Sequence, residues 1–91
     1  MNKREMLQKA IAIVNDRGEQ YGSAKINMDR VAGMWSTWLH LPITATDVAI
    51  MHILAKMARI ESNGGDHDDS WIDIAGYAAV GCEVANEGED Q

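Results

Sequence analysis

Two adjacent glycines, Gly64 and Gly65, separate two long segments whose apolar residues recur at helical spacing. The first segment, residues 45–62, is apolar around most of its circumference, which is typical of a helix at the centre of a bundle. The second segment, residues 68–85, starts beside a cluster of aspartates that suits the positive end of a helix dipole. Because Asn63 and the two glycines are a strong stop signal, we expect the two helices to form a long antiparallel hairpin.

Two further helices are expected before the hairpin. An amphipathic first helix is predicted from about Asn2 to Asp16, with Gly18 just beyond its end. A second helix follows from apolar residues at helical spacing, namely Ile26, Val31, Met34, Trp35 and Trp38. Asn27 is its candidate cap. Residues 17–25 hold two glycines and are predicted to form a loop between these helices.

The start of the third helix is marked by a proline and a cap. Pro42 disfavours helix in the residue before it, and Thr44 with Asp47 has the spacing of a capping box. No segment of the sequence alternates apolar and polar residues for long. The sequence therefore predicts an all-α fold, a small four-helix bundle in a single domain over residues 1–85. Residues 86–91 are too polar to pack and are expected to form a disordered acidic tail.

The composition sets limits on size and association. With 91 residues, the chain has room for one domain that hides about two-thirds of its unfolded surface. The residues are 46% hydrophobic and include three tryptophans and six methionines, so apolar area is plentiful for so small a volume. We therefore expect the bundle to be completed by association into a homo-oligomer. The tryptophans are expected in the core or at a subunit interface.

Charge and cysteine content argue against several classes of protein. The net charge is −6 and the eight basic residues are scattered, which argues against direct nucleic-acid binding because phosphates require clustered lysine and arginine. The single cysteine, Cys82, cannot form an intrachain disulfide. The sequence shows no signal-peptide pattern and no run of membrane-spanning length. A cytoplasmic protein with no membrane attachment is the expectation.

A basic stripe and an acidic stripe are predicted to face each other across the hairpin. At intervals of three and four, which share a helix face, the third helix carries His52, Lys56 and Arg59. The fourth helix carries, at the same intervals, Asp66, Asp69, Asp73 and Tyr77. The antiparallel turn places three sets of residues at matching heights on the two helices. These are Lys56 and Asp73, His52 and Tyr77, and Arg59 with Asp69 and Ser70.

These stripes have two interpretations, and the spacing leaves both open. In the first, partly buried ion pairs fix the register of the two helices. In the second, Asp69 and Asp73 share a Mg²⁺ ion while Lys56 and Arg59 contact the phosphate oxygens of a nucleotide. Mg²⁺ suits the second interpretation because it prefers one or two carboxylates, retained waters and substrate phosphates.

A series of motifs runs in order along the chain: Arg17-Gly18, Tyr21-Gly22, Asn27, Trp35, Asp47, Lys56-Met57-Ala58-Arg59-Ile60 and Asp69-Ser70-Trp71-Ile72-Asp73-Ile74-Ala75-Gly76-Tyr77-Ala78. They resemble a small family of phage and prophage proteins of unassigned function, which is similar to the MazG-like all-α nucleoside triphosphate pyrophosphohydrolases. The resemblance implies a helical bundle completed by oligomerisation, Mg²⁺ between helices, and cleavage of a nucleotide between its α and β phosphates. For a phage-encoded protein it places the chain in the host cytoplasm.

The chain departs from the MazG-like pattern in its carboxylates. Those enzymes carry a Glu-x-x-Glu pair on one helix and a Glu-x-x-Asp pair on the next. The second and third helices predicted here hold no Glu-x-x-Glu, and Asp69 and Asp73 stand in for the second pair at a spacing of four rather than three. Three explanations stay open: fewer metal ions, carboxylates from a neighbouring subunit, or nucleotide binding without catalysis.

The leading hypothesis is a MazG-like nucleotide-binding protein that hydrolyses a nucleoside triphosphate and releases pyrophosphate. Its candidate residues are Asp69 and Asp73 for Mg²⁺, Lys56 and Arg59 for catalysis, and Tyr21 and Lys25 in the glycine loop for nucleotide contacts. The alternative is a non-enzymatic small acidic phage protein that binds a host protein or sequesters a nucleotide. The missing Glu-x-x-Glu pair and the net charge of −6 favour the alternative.

Overall fold

The computed structural model describes residues 1–89, and within that range the chain forms four α-helices: α1 (Lys3–Tyr21), α2 (Ala24–Leu39), α3 (Ala45–Ser62) and α4 (Asp68–Glu89). The predicted all-α class is confirmed. The central helix is α4, because it packs against α3 and α1 and also touches α2. The prediction of a central α3 was wrong, since α1 and α3 make no close backbone contact within residues 1–89.

Helix α3 begins and ends where the sequence predicts. The Thr44 hydroxyl accepts a hydrogen bond from the Asp47 backbone N–H at 3.1 Å, and the Asp47 carboxylate accepts one from the Thr44 N–H at 3.0 Å. At the other end, Gly64 and Gly65 have φ angles of 65° and 90°, which glycine adopts without steric cost. The Gly65 N–H donates to the Ile60 carbonyl at 2.8 Å. This turn directs the chain into α4.

The hydrophobic core lies where α2, α3 and α4 meet. Its buried members are Met28, Ala32, Ala45, Val48 and Val84. Val48 is fully enclosed, with 0% of its surface exposed. Further along the same contact, α3 and α4 approach so closely that a Cβ on Gly81 would lie 3.1 Å from the Cβ of Ala49. Glycine at this position therefore permits the observed spacing of the two helices.

Helix α1 continues to Tyr21, well beyond its predicted end at Asp16. Gly18 lies inside the helix, where glycine costs only about 1 kcal/mol relative to alanine, so it does not act as a stop. The stop is Gly22, which has a φ of 75° and donates its N–H to the Gly18 carbonyl at 3.0 Å. The predicted loop over residues 17–25 was therefore wrong.

The connection between α1 and α2 consists of Gly22 and Ser23. Ser23 caps α2, because its hydroxyl accepts a hydrogen bond from the Ile26 backbone N–H at 3.4 Å. Asn27, the predicted cap, lies one turn inside the helix. Tyr21 and Lys25, which the sequence places in a loop, are helical residues on either side of this connection.

Helix α4 continues past its predicted end near Ala85 as far as Glu89, the last described residue. Glu87, two residues beyond the predicted end, is half-buried. Residues 86–89 of the predicted disordered tail are therefore helical. Residues 90–91, the rest of that tail, lie outside the described residues.

Several large apolar side chains remain exposed. Helix α3 presents Ile50, Leu54 and Met57 with 50, 56 and 52% of their surfaces exposed, and Trp38 on α2 is 83% exposed. Trp38 is therefore not a core residue. None of the helices within residues 1–89 combines the length and the hydropathy needed to cross a bilayer.

Replacing Gly81 with valine tests the close contact of α3 with α4. The added side chain would meet Ala49 and force the helices apart, which should lower the free energy of unfolding by about 1–3 kcal/mol. Gly33→Val is the matched control, because nothing lies within 4 Å of the position that a Cβ on Gly33 would take. Chemical denaturation measures both variants. Equal stability of the two would contradict the contact.

Candidate functional site

Two of the three predicted contacts across the α3–α4 hairpin are present. Lys56 Nζ lies 3.0 Å from Asp73 Oδ2, and the two side chains are largely buried, with 17 and 18% of their surfaces exposed. The rings of His52 and Tyr77 are stacked, with centroids 4.7 Å apart and an angle of 6° between their planes. The predicted register of α3 against α4 is confirmed.

The third contact, between Arg59 and Asp69, is not formed. Both residues are exposed, and neither takes part in the ion pairs formed by the side chains of residues 1–87. Ser70 is the buried residue at this level of the hairpin, with 1% of its surface exposed, and its Oγ lies 2.6 Å from His67 Nδ1. Because Ser70 occupies the inner side of the first turn of α4, Asp69 is turned toward solvent.

The His52–Tyr77 stack is extended by one residue from each of the other helices. The Trp35 ring of α2 lies near His52, with centroids 5.6 Å apart and an interplanar angle of 47°. The guanidinium carbon of Arg17, on α1, lies 5.9 Å from the centroid of the Tyr77 ring, within the range of a cation–π contact. All four helices thus contribute to one layer, Arg17, Tyr77, His52 and Trp35, which we call the aromatic layer.

The electrostatic environment keeps His52 neutral near pH 7. Burial lowers the pKa of His52 below its usual value of 6.5, and the positive charges of Lys56 and Arg17 lower that pKa further. A neutral imidazole can lie between Trp35 and Tyr77 without the cost of burying a charge. The surroundings of His52 in the aromatic layer therefore favour its uncharged form.

A cleft with a volume of about 720 Å³ opens between α1, the start of α2 and α4, with His52 of α3 also reaching its lining. Its polar lining residues are Arg17, Tyr21, Ser23, Asn27, His52, Asp73, Tyr77, Glu83 and Glu87. A cleft of this size accommodates a small-molecule ligand. Along α4, Asp73 is separated from Glu83 and Glu87 by ten residues or more, which is about 15 Å of helix.

The predicted site residues are only partly brought together by the fold. Asp73 and Tyr21 line the cleft. Lys56 is connected to the cleft through its ion pair with Asp73. The residues outside the lining are Lys25, Arg59 and Asp69. Lys25 is held in the first turn of α2 by an ion pair of 2.7 Å with Asp29.

The predicted magnesium site stays a prediction. Asp69 and Asp73 lie one turn apart on α4, and among the described side chains, those of residues 1–87, no group of three or more His, Cys, Asp or Glu is placed to hold a metal ion. Two protein carboxylates, completed by water and ligand phosphates, are a donor set that Mg²⁺ accepts. The ion pair of Asp73 with Lys56 competes with such binding in the ligand-free protein.

The sequence alone does not identify three of the charged residues that line the cleft. Arg17 joins the same helix face as Ile13 and Tyr21 only if α1 is continued past Gly18. Glu83 and Glu87 are four apart on α4, and nothing in the sequence indicates that α1 and α2 open a cleft beside them. Ile13, Arg17 and Tyr21 are spaced four residues apart, as residues on one helix face are. This spacing would have indicated their common face if α1 had been predicted to continue to Tyr21.

The fold and the cleft define a small all-α protein with a ligand-sized polar and aromatic cleft between its helices. The chain belongs to the DUF6378 family, a domain of unknown function, whose family model matches residues 5–85. It is similar to the Gene 55 protein of Mycobacterium phage L5, with 44% identity over 77 residues, and to the Gene 55 protein of Mycobacterium phage D29, with 37% identity over 78 residues. The predicted resemblance to phage proteins of unassigned function is confirmed.

The alignments differ in how much of each protein they cover. They include 82 and 85% of this chain but 49 and 50% of the L5 and D29 proteins. The chain therefore spans about half the length of the curated relatives it matches. No solved structure matches the chain.

A pH series tests the role of neutral His52. Because its pKa is lower in the folded than in the unfolded chain, the unfolded chain binds more protons, and stability should fall as the pH drops below about 6.5. His52→Phe keeps a stacking ring but removes the titration, so its free energy of unfolding should fall less between about pH 7.5 and pH 5.5. The control is His40→Asn, because His40 is exposed and asparagine tolerates its φ of 57°. An unchanged pH dependence in His52→Phe would contradict the prediction.

Proposed function

We propose that the chain is a MazG-like protein that binds a nucleoside triphosphate in the cleft and, with Mg²⁺, hydrolyses it to a monophosphate and pyrophosphate. The observation that carries this proposal is the Lys56–Asp73 pair, which is largely withdrawn from solvent where Asp73 meets the cleft. A lysine and a carboxylate paired beside an open, ligand-sized cleft with several polar side chains are a candidate binding site. The substrate class rests on the resemblance of the phage family to MazG-like enzymes that the sequence suggests.

At the phosphate end of the ligand, the carboxylates of α4 would bind the metal and the cations of α3 would contact the phosphates. Asp73, with Asp69 one turn before it, would hold Mg²⁺, which when bound polarises phosphate oxygens and makes a water molecule more acidic. Lys56 is already beside Asp73 and would neutralise the negative charge that develops on the phosphates. Arg59 is exposed at the next turn of α3 and would supply a second cation.

We assign contact with the nucleoside part of the ligand to Tyr21 rather than to Lys25. The Tyr21 side chain is 71% exposed at the rim of the cleft, so one face of its ring is available to a base. Stacking on an aromatic ring is worth about 1–3 kcal/mol per base and tolerates any base. Lys25 is engaged by Asp29 and lies outside the lining.

A panel of nucleotides tests the proposed activity. The wild type, mixed with Mg²⁺ and each common ribo- or deoxyribonucleoside triphosphate, should release pyrophosphate from at least one. Asp73→Asn should slow the release by about 100-fold or more, because it removes a metal ligand and a partner of Lys56. The matched control is Asp29→Asn, which breaks the Lys25 ion pair outside the cleft and should keep the wild-type rate.

The outcomes of this panel separate hydrolysis from binding. Pyrophosphate release that Asp73→Asn abolishes would support the enzyme. A nucleotide-dependent rise in the melting temperature without release would favour a protein that sequesters the nucleotide. No release with any nucleotide, together with no melting shift from Mg²⁺ or nucleotide, would contradict the proposed function.

A second candidate function is that of a non-enzymatic protein that binds a host protein. Apolar side chains at the end of α2 favour it, since Met34, Trp38 and Leu41 have 69, 83 and 57% of their surfaces exposed. Exposed apolar groups that cluster are a common mark of protein-binding surfaces. The missing Glu-x-x-Glu pair is also consistent with a protein that does not catalyse a reaction.

We also propose that the chain forms a homo-oligomer through α3. Ile50, Leu54 and Met57 follow one face at intervals of four and three, each is about half exposed, and α1 does not reach α3 to cover them. A second copy packed on the same stripe would remove these apolar side chains from water.

Sedimentation measures the proposed association. Leu54→Glu places a charge at the centre of the stripe and should reduce the wild-type mass to that of the monomer. Leu7→Glu is the matched control, because Leu7 on α1 is 54% exposed, close to the 56% of Leu54. A monomeric wild type, or an unchanged mass in Leu54→Glu, would contradict association through α3.

A further inference from the structure

We propose that Arg17 binds the anionic group of the ligand in the cleft, an inference that rests on the nucleotide function proposed above. Arg17 lines the cleft together with Asp73 and Tyr77. It comes from α1, whereas the Lys56–Asp73 pair belongs to the α3–α4 hairpin. A phosphate group bound beside Tyr77 and Asp73 would meet cations supplied by two different parts of the fold.

Arg17 makes no ion pair with a carboxylate among the described side chains, those of residues 1–87. The side-chain ion pairs there are Lys25 with Asp29 and Lys56 with Asp73. Asp73, which lies one turn before Tyr77 on α4, is therefore already paired. An arginine that the fold leaves without a carboxylate in a ligand-sized cleft is available to an incoming anion.

The surroundings of Arg17 hold its guanidinium in a defined place. Its carbon lies 5.9 Å from the centroid of the Tyr77 ring, and Tyr77 is itself fixed by stacking on His52. The neighbouring Gly18 also lines the cleft, and nothing lies within 4 Å of the position that its Cβ would take. The wall beside the guanidinium is therefore open to a ligand.

Arginine suits this position better than lysine would. The planar guanidinium presents several N–H donors in a fixed fork that binds two phosphate oxygens at once, and the same plane stacks on an aromatic ring. A lysine would keep the charge but lose both the paired hydrogen bonds and the stacking. The geometry therefore predicts a graded loss of anion affinity, small for Arg17→Lys and large for Arg17→Gln.

Calorimetric titration with inorganic pyrophosphate, and then with the nucleoside triphosphate that the panel selects, tests this role. Chelator replaces Mg²⁺ in the pyrophosphate titration, so that anion binding is measured without the proposed metal. Arg17→Gln should bind both about tenfold or more weakly, as expected for the loss of hydrogen bonds to a charged group. Arg17→Lys should fall between Arg17→Gln and the wild type.

The control is Arg30→Gln, because Arg30 is also exposed and lies on α2 outside the cleft. It should bind as tightly as the wild type, and thermal melting confirms that all three variants are folded. Wild-type affinity in Arg17→Gln, or an equal loss in Arg30→Gln, would overturn the role of Arg17 while leaving nucleotide binding intact. A wild type that binds neither pyrophosphate nor any nucleotide would overturn the proposed function as well.

Discussion

The ion pair between Lys56 and Asp73 joins the two helices on which the rest of the structure is built. Its charges are largely removed from solvent, so a shift of either helix would leave a partly buried charge without a partner, at a cost of several kcal/mol. The same register stacks His52 on Tyr77 and sets Gly81 against Ala49. Polar pairing and close packing thus specify one alignment of α3 and α4.

The candidate site follows from this alignment. With Tyr77 and His52 fixed, α1 and α2 each add a residue to the aromatic layer, and Arg17 lies beside Tyr77 in the lining of the cleft, to which Asp73 also belongs. Two oppositely charged groups and an aromatic ring then face a space large enough for a nucleotide. The structural interpretation and the functional interpretation of the charged stripes are therefore compatible, because the pair that fixes the hairpin also borders the cleft.

Local rules explain which features the sequence predicts well. The limits of α3 follow from the Thr44–Asp47 capping box and the glycine turn, and the antiparallel register follows from helical spacing about that turn. Gly18 misleads because glycine both ends helices and, at modest cost, lies within them. The cleft and Arg17's place in it depend on how α1 and α2 pack against α4, which involves contacts distant in sequence that no local pattern encodes.

A double-mutant cycle on Lys56 and Asp73 tests most directly whether their ion pair fixes the hairpin. Lys56→Met, Asp73→Asn and the double variant are unfolded with denaturant, and the coupling energy is the part of the two single effects that is not additive. The pair's low exposure predicts a coupling of about 1–3 kcal/mol, with the double variant less destabilised than the sum of the single variants. Additive effects, within about 0.3 kcal/mol, would contradict the account.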